Sequence, residues 1–383
     1  MRTVIRGGRV LTPDATLDGY AVVVEDRHIA QLTDAAPPTA DRTIEATGLR
    51  VIPGLVDLHV HGAVGSDVMD ATPEALAAME TFFVHHGVTA YLPTTITASP
   101  EALLAALANV ASAPPSAGAQ RLGVHLEGPY VAAAQRGAQP EAWLRAPDPL
   151  EYAAWFDSGV VRRITLAPEL PGAVELIASG VGRGVRLSAG HTEATYEQLR
   201  QAADWGVRHA THTFNGMRGL HHRQPGAVGA VLTDDRLYAE LIADGVHVHP
   251  AVVDLVVRAK GIQRVTLVTD AMRATGLSDG AYDLGGQTID VRDGVARTAA
   301  GALAGSTLTL NRAVRNAQRF AGLSPNAALA MATRVPAEAV GLGGRKGVLR
   351  PGADADLVLV DDDWDVHAAM VGGVLVFTSA DVH

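Results

Sequence analysis

Gly54-Leu55-Val56-Asp57-Leu58-His59-Val60-His61-Gly62 decides how this chain is read. An apolar run ends in two histidines spaced i, i+2. On a β-strand that spacing puts both imidazoles on one face, with Cα atoms roughly 6.6 Å apart. Two rings on one face at a strand end can close on a metal ion. Exposed pairs of this kind also occur without a metal, so His59 and His61 alone leave the matter even. The signal gains force further along. Glu127, His191, His212, His247 and Asp270 each sit at or just past the end of another short apolar run.

Those runs have a common rhythm. Strand-length apolar segments fall at Leu55–Val60, Val88–Leu92, Leu122–Leu126, Ile164–Ala167, Val185–Ala189, Val207–Ala210, Leu237–Ile242 and Val265–Val268. Most are followed by helix-like stretches, among them Pro73–His85, Glu101–Val110, Glu193–Trp205 and Pro250–Lys260. Thr72-Pro73 has the form of an N-cap followed by proline at the first helical position. Strand–helix alternation repeated eight times predicts an α/β protein of the (β/α)8 TIM-barrel type. Tyr282–Thr298 reads as a hairpin insertion, and helices over Thr307–Phe320 and Pro325–Val340 close the barrel. The two ends of the chain are different. Residues 1–52 and 345–383 hold short β runs broken by turn residues, which predicts one small β-sandwich domain built from both termini around a barrel of residues 53–344.

Composition narrows the function. The chain has 383 residues, 48% hydrophobic and 19% charged, ample for a large core and too long for one average domain. A net charge of -10 argues against an extended nucleic-acid surface. With no cysteine, any metal must be held by His, Asp or Glu. The first residues carry no apolar leader, and no stretch reaches membrane-span length without polar interruption, so a cytoplasmic protein without membrane partners is expected.

In a barrel of this kind, reactive groups gather at the C-terminal ends of the strands. The candidates occupy strands 1 (His59, His61), 3 (Glu127), 5 (His191), 6 (His212), 7 (His247) and 8 (Asp270). A scatter of unrelated residues would not select those addresses. Glu127 buried without a partner would be costly, and a divalent cation relieves the cost better than a stray arginine would. With His191 and His212 it forms a three-ligand set that leaves one position open, the arrangement of catalytic zinc. If His59 and His61 hold a second ion, Glu127 is placed to bridge the two. Such an ion lowers the pKa of its bound water and polarises a carbonyl oxygen. Asp270 suits proton transfer between that water and a leaving group; a helix N-cap would use an aspartate equally well. His247 could donate a hydrogen bond to a substrate carbonyl, or be an ordinary loop histidine. Arg223, beyond Asn215-Gly216, is as consistent with a phosphate clamp as with a solvated loop arginine. His125 points away from Glu127 by strand alternation, and His85, His86, His221 and His222 read as surface residues.

Taken together, these segments resemble the amidohydrolase superfamily and, within it, the N-acetylglucosamine-6-phosphate deacetylase family. The resemblance is carried by Pro53–Gly62, His125-Leu126-Glu127-Gly128-Pro129, Ala189-Gly190-His191-Thr192, Thr211–Met217, Arg223-Gln224-Pro225-Gly226, Ile242–His247, Val268-Thr269-Asp270-Ala271 and Leu303-Ala304-Gly305-Ser306, in the family's order over nearly the whole chain. It implies hydrolysis of the acetamide of N-acetylglucosamine 6-phosphate to glucosamine 6-phosphate and acetate. A metal-activated water does the work, with Asp270 as general base and acid and His247 on the substrate carbonyl. Glu127, His191 and His212 hold the main metal, and His59 and His61 offer a second position. One or two divalent ions per subunit follow, Zn²⁺ or Fe²⁺ first, then Mn²⁺ or Co²⁺. Asn215 and Gly216 help bind the sugar phosphate, and Gly128 and Gln139 join the substrate-binding set. Arg223 reaches the phosphate in the neighbouring subunit of a homodimer. One departure stands out: some members carry a histidine where this chain has Gln139.

Four rival readings compete with this one. Dihydroorotase-like enzymes bridge two metals with a carboxylated lysine on the fourth strand, but Lys260 and Lys346 are the only lysines here. A nucleobase deaminase, a deacetylase of a different amino-sugar phosphate, and a non-catalytic relative that keeps the barrel are the remaining three.

Overall fold

A computed structural model describes residues 1–380. Its centre is a ring of parallel strands that we number β1 (Leu55–Val60), β2 (Val88–Thr95), β3 (Val124–Glu127), β4 (Val161–Leu166), β5 (Arg186–Ala189), β6 (Val207–Ala210), β7 (Tyr238–Leu241) and β8 (Val265–Leu267). Parallel ladders join β1 to β2 and run on in order to β8. A helix follows each strand, and the near-continuous burial of the strands is what a parallel sheet covered on its outer face demands. The sequence folds locally as its punctuation dictates. Over Tyr196–Trp205, Thr195 caps the N-terminus, Gln198 completes the capping box, and Gly206 (φ 121°) ends the helix. Leu199, Ala202 and Ala203 form its buried face. Replacing Thr195 by alanine would cost about 1 kcal/mol through the lost cap.

The seam between β8 and β1 has no ladder. It is closed higher up, where Asp270 N donates to His59 O (2.9 Å) and His61 N to Ala271 O (2.8 Å). Lower down, the Met331–Ala332 segment fills the gap by accepting from Leu267 N and Val56 N, both at 2.8 Å. This segment interrupts the single helix expected over Pro325–Val340, which is two short helices, Pro325–Ala330 and Arg334–Ala339. Pro336 cannot donate to Ala332 O, and its ring would crowd that carbonyl in a continuous helix. The freed carbonyl serves the barrel instead.

Both termini contribute to two further sheets. One has four strands from Arg2–Arg6, Ala21–Glu25, His28–Thr33 and Arg42–Glu45; the other combines Arg9–Leu11, Thr16–Leu17 and Arg50–Pro53 with three strands between Leu357 and Thr378. They enclose their own apolar cluster, which includes Ile5, Val22, Ile44, Leu357 and Met370. The expected hairpin near Tyr282 is a three-stranded meander, Gly280–Leu284, Gln287–Arg292 and Val295–Thr298, because Gly285-Gly286 and Asp293-Gly294 supply two turns rather than one. No helix among the described residues is long and apolar enough to cross a membrane.

Candidate active site

Four imidazoles and two carboxylates converge at the C-terminal mouth of the barrel. Glu127 Oε1 lies 3.2 Å from His191 Nε2 and 3.0 Å from His212 Nε2, and those two nitrogens are 3.1 Å apart. His59 Nε2 and His61 Nε2 are 3.3 Å apart, and Asp270 Oδ1 stands 3.4 Å and 3.2 Å from them. Glu127 spans the two groups, with Oε1 3.5 Å from His59 Nε2 and Oε2 3.3 Å from His61 Nε2. All six residues are buried.

The tautomers follow from the outer partners. His61 Nδ1 faces Thr94 O (3.1 Å), His191 Nδ1 faces Gln135 O (2.7 Å) and His212 Nδ1 faces Asn215 O (3.1 Å). His59 Nδ1 faces Glu240 Oε2 (3.3 Å). Every partner is an acceptor, so every Nδ1 carries the proton and every Nε2 turns a lone pair inward. Neutral lone pairs 3.1 to 3.3 Å apart repel. The same spacing matches two nitrogens on one tetrahedral ion, about 3.3 Å for bonds of 2.0–2.1 Å. The donor set therefore fits a divalent cation in two places, Glu127/His191/His212 and His59/His61/Asp270. Positive charge is what these residues ask for. Burial opposes charge on the His61 ring, but Asp270 and Glu127 outweigh it and raise its pKa to about 9. Burial likewise opposes the Asp270 carboxylate, and the neighbouring His59 and His61 more than offset it, holding its pKa below the usual range.

Backbone conformation marks the same residues. His191 (φ 48°), His212 (φ 29°) and Asp270 (φ 51°) all take left-handed conformations just past strand ends. Such non-glycine residues are uncommon and tend to cluster at functional sites. Each turns its side chain back over the barrel mouth. Asp270 is not a helix cap.

A cavity of about 230 Å³ opens over this cluster, lined among others by His247, Asn215, Gly216, Gln139 and Leu284. His247 Nδ1 is held by Asp244 Oδ2 at 2.6 Å, leaving Nε2 as its free nitrogen. Burial would lower the His247 pKa, but the Asp244 hydrogen bond and charge prevail and raise it. Gln139 is engaged at both ends of its amide: Nε2 donates to Glu127 Oε2 (2.7 Å) and Oε1 accepts from Thr97 N (2.9 Å). It buttresses Glu127 as well as lining the cavity. Gly128 lies below the lining; its φ is 77°, and a Cβ would come within 2.2 Å of Thr97 Oγ1. Arg223 is exposed and does not line the cavity. Lys260 is bound to Asp234 O (2.7 Å) and Lys346 to Asp356, so no lysine bridges metals here. A larger cleft of about 600 Å³ lies elsewhere, but its Glu80–Arg121 and Lys346–Asp354 charges are already paired and, among the described residues, no ligand set converges in it.

Beneath this cluster runs a polar layer that hydropathy did not reveal. Arg163 (β4) pairs with Glu240 (β7), both fully buried, and Arg163 Nη2 donates to Ser188 Oγ (2.9 Å). Ser188, Thr211, Thr165 and His125 continue the chain at 2.6 to 2.7 Å per step. Burial opposes the Glu240 charge, but Arg163 reverses this and lowers its pKa to about 2. The available signal was a carboxylate inside the apolar run Leu237–Ile242.

This architecture is that of a hydrolase barrel, and comparison agrees. An Amidohydrolase family model matches residues 50–376, and the chain belongs to that family. It is 44% identical over 334 residues to N-acetylglucosamine-6-phosphate deacetylase of Vibrio furnissii, covering 86% of this chain and 84% of that one. It is 40% identical to N-acetylgalactosamine-6-phosphate deacetylase of Escherichia coli O157:H7, covering 98% and 99%. Among solved structures, a mutant N-acetyl-D-glucosamine-6-phosphate deacetylase of Mycobacterium smegmatis, in complex with N-acetyl-D-glucosamine-6-phosphate, superposes with a TM-score of 0.91 at 38% identity, covering 98% and 100%. The protein is thus an enzyme of the amidohydrolase family.

Proposed function

We propose that this enzyme removes acetate from N-acetylglucosamine 6-phosphate. The observation that carries the proposal is Glu127: one buried carboxylate stands within 3.5 Å of four imidazole nitrogens, with Asp270 beside it and a sugar-sized cavity above. Glu127, His191 and His212 would hold the main divalent ion, and His59, His61 and Asp270 a second. Nitrogen and oxygen donors without thiolate suit Zn²⁺ or Fe²⁺, and also Mn²⁺ or Co²⁺. When bound, the ion supplies Lewis acidity toward a water and the amide carbonyl.

The chain's own residues do the rest. His247, with its pKa raised by Asp244, donates from Nε2 to the acetyl oxygen as negative charge develops there. Asp270 accepts a proton from the attacking water. The water oxygen bonds to the acetyl carbon, the C–N bond breaks, and Asp270 returns the proton to the departing amine. Atoms balance as amide plus water giving acetate and amine. Asn215 and Gly216 at the rim receive the sugar phosphate. Arg223, exposed and outside its own chain's cavity, completes the phosphate contact in the neighbouring subunit of a homodimer. A phosphorylated substrate suits a cytoplasmic enzyme.

The test is acetate release from a panel of N-acetyl sugars, glucosamine and galactosamine epimers, each with and without the 6-phosphate. The galactosamine arm is included because one full-length relative is named for that epimer. Release from the phosphorylated glucosamine sugar, lost in Asp270→Asn, is expected. Turnover confined to unphosphorylated sugars, or none in the panel, would overturn the proposal.

A further inference from the structure

Of the four imidazoles at the barrel mouth, three give their Nδ1–H to backbone carbonyls and one gives it to a carboxylate. The exception is His59, and the carboxylate is Glu240. The geometry points to Glu240 as the positioning residue that makes the His59/His61/Asp270 group a second metal site. This rests on the metal-site reading above and deepens it.

A carboxylate acceptor does two things that a carbonyl does not. It fixes the ring in the tautomer whose Nε2 lone pair faces the ion, and its charge makes that nitrogen a stronger donor. Glu240 is itself held from several sides. Oε1 meets Arg163, and Oε2 accepts from His59 Nδ1 at 3.3 Å and from His212 N at 3.2 Å. Neither Glu240 nor Arg163 has any solvent exposure, so bulk water does not substitute for a lost contact. Arg163 is anchored in turn on Ser188 Oγ. The main-metal ligands His191 and His212 take their Nδ1 partners from loop backbone at Gln135 and Asn215, and Glu240 touches that pair only at the His212 backbone N–H, not at either ring.

Glu240→Gln separates the two positions. A carboxamide has one acceptor oxygen, and the buried Arg163 cation claims it. The amide NH2 then confronts His59 Nδ1–H, donor against donor; the His212 N–H loses its acceptor too, but the His212 ring keeps its Nδ1 partner, Asn215 O. The ring escapes by moving its proton to Nε2, the metal-facing nitrogen. Loss of such an outer partner lowers metal affinity roughly 10- to 100-fold.

The experiment is a calorimetric titration of chelator-stripped protein with Co²⁺, followed in parallel by Co²⁺ visible absorption. The parent chain is expected to bind two ions. Glu240→Gln should keep the tighter event within about threefold and weaken the other at least about tenfold. Because that variant leaves the buried Arg163 charge without a counter-charge, the Glu240→Met/Arg163→Met pair is titrated beside it, with thermal unfolding as the folding control. It removes both buried charges and the acceptor, and the same selective loss is expected. Two events at parental affinity in either folded variant would overturn the assignment, as would a parent chain that binds one ion only. Acetate release plays no part in this readout. A chain that binds two Co²⁺ as described yet hydrolyses no N-acetyl sugar phosphate would overturn the proposed function and leave the role of Glu240 standing.

Discussion

Asp57 reaches across the unladdered barrel seam to Thr269, accepting from its hydroxyl at 2.6 Å and from its amide at 3.3 Å. The same carboxylate accepts from His59 N at 3.2 Å. One side chain therefore ties the strand that ends in His59 and His61 to the turn that presents Asp270. Burial raises the Asp57 pKa to about 7 despite these bonds.

Thr269→Val removes the 2.6 Å bond while keeping the side-chain shape. Stability should fall by about 1–3 kcal/mol, since a buried acceptor loses its donor. Asp270 is the next residue, so kcat should fall more than KM rises. Thermal unfolding and steady-state kinetics check both; unchanged values for both would remove the seam from the account.

Asp270→Asn keeps the shape at the mouth but cannot shuttle a proton. We expect turnover to drop by roughly 10²- to 10⁴-fold. The ion at Glu127, His191 and His212 should stay, as measured by elemental analysis of the purified variant. Undiminished turnover would dismiss Asp270 from the chemistry.

Arg223 offers a test of subunit sharing. Arg223→Ala should weaken phosphorylated substrates selectively, seen as a raised KM. Mixing Arg223→Ala chains with Asp270→Asn chains should then restore activity above either parent, because a mixed dimer has one site with both residues intact. No restoration after confirmed subunit exchange would rule out contribution across the interface.

His86 gives a pH-dependent stability effect away from the chemistry. It is partly buried against Phe82, and burial, with His85 and Arg312 adding to it, lowers its pKa from 6.5 to about 4. The unfolded chain thus takes up the proton first as pH falls. The stability involved is fully present above pH 6.5 and is lost as pH drops toward 4. His86→Gln should flatten the fall in unfolding free energy across that window in urea titrations. Equal slopes in parent and variant would contradict the assignment.

Much of the candidate site could be read from sequence because the side chains that converge there sit where hydrophobic runs stop. Glu127, His191, His212 and Asp270 needed only the barrel rule to be brought together. The supporting layer was hidden for a physical reason. Arg163 and Glu240 lie far apart in the chain, and only the closed ring brings β4 and β7 near enough to pair them. The role of Gln139 on Glu127 was equally hidden, since the two lie 12 positions apart in the chain, across an irregular connection. His86, expected at the surface, is half-buried because the helix before β2 packs Phe82 beside it. The break at Met331–Ala332 was signalled by Pro336, but its use as a plug for the seam depends on contacts with β1 and β8 that no local pattern encodes.

The central claim is that a cation held by Glu127, His191 and His212 is required for amide hydrolysis at this barrel mouth. Its most direct test is acetate release from N-acetylglucosamine 6-phosphate by chelator-stripped protein, before and after one equivalent of Zn²⁺ or Fe²⁺. The account predicts no release from the stripped protein and recovery on metal addition, with no recovery in Glu127→Gln. Full activity in verified metal-free protein would contradict it.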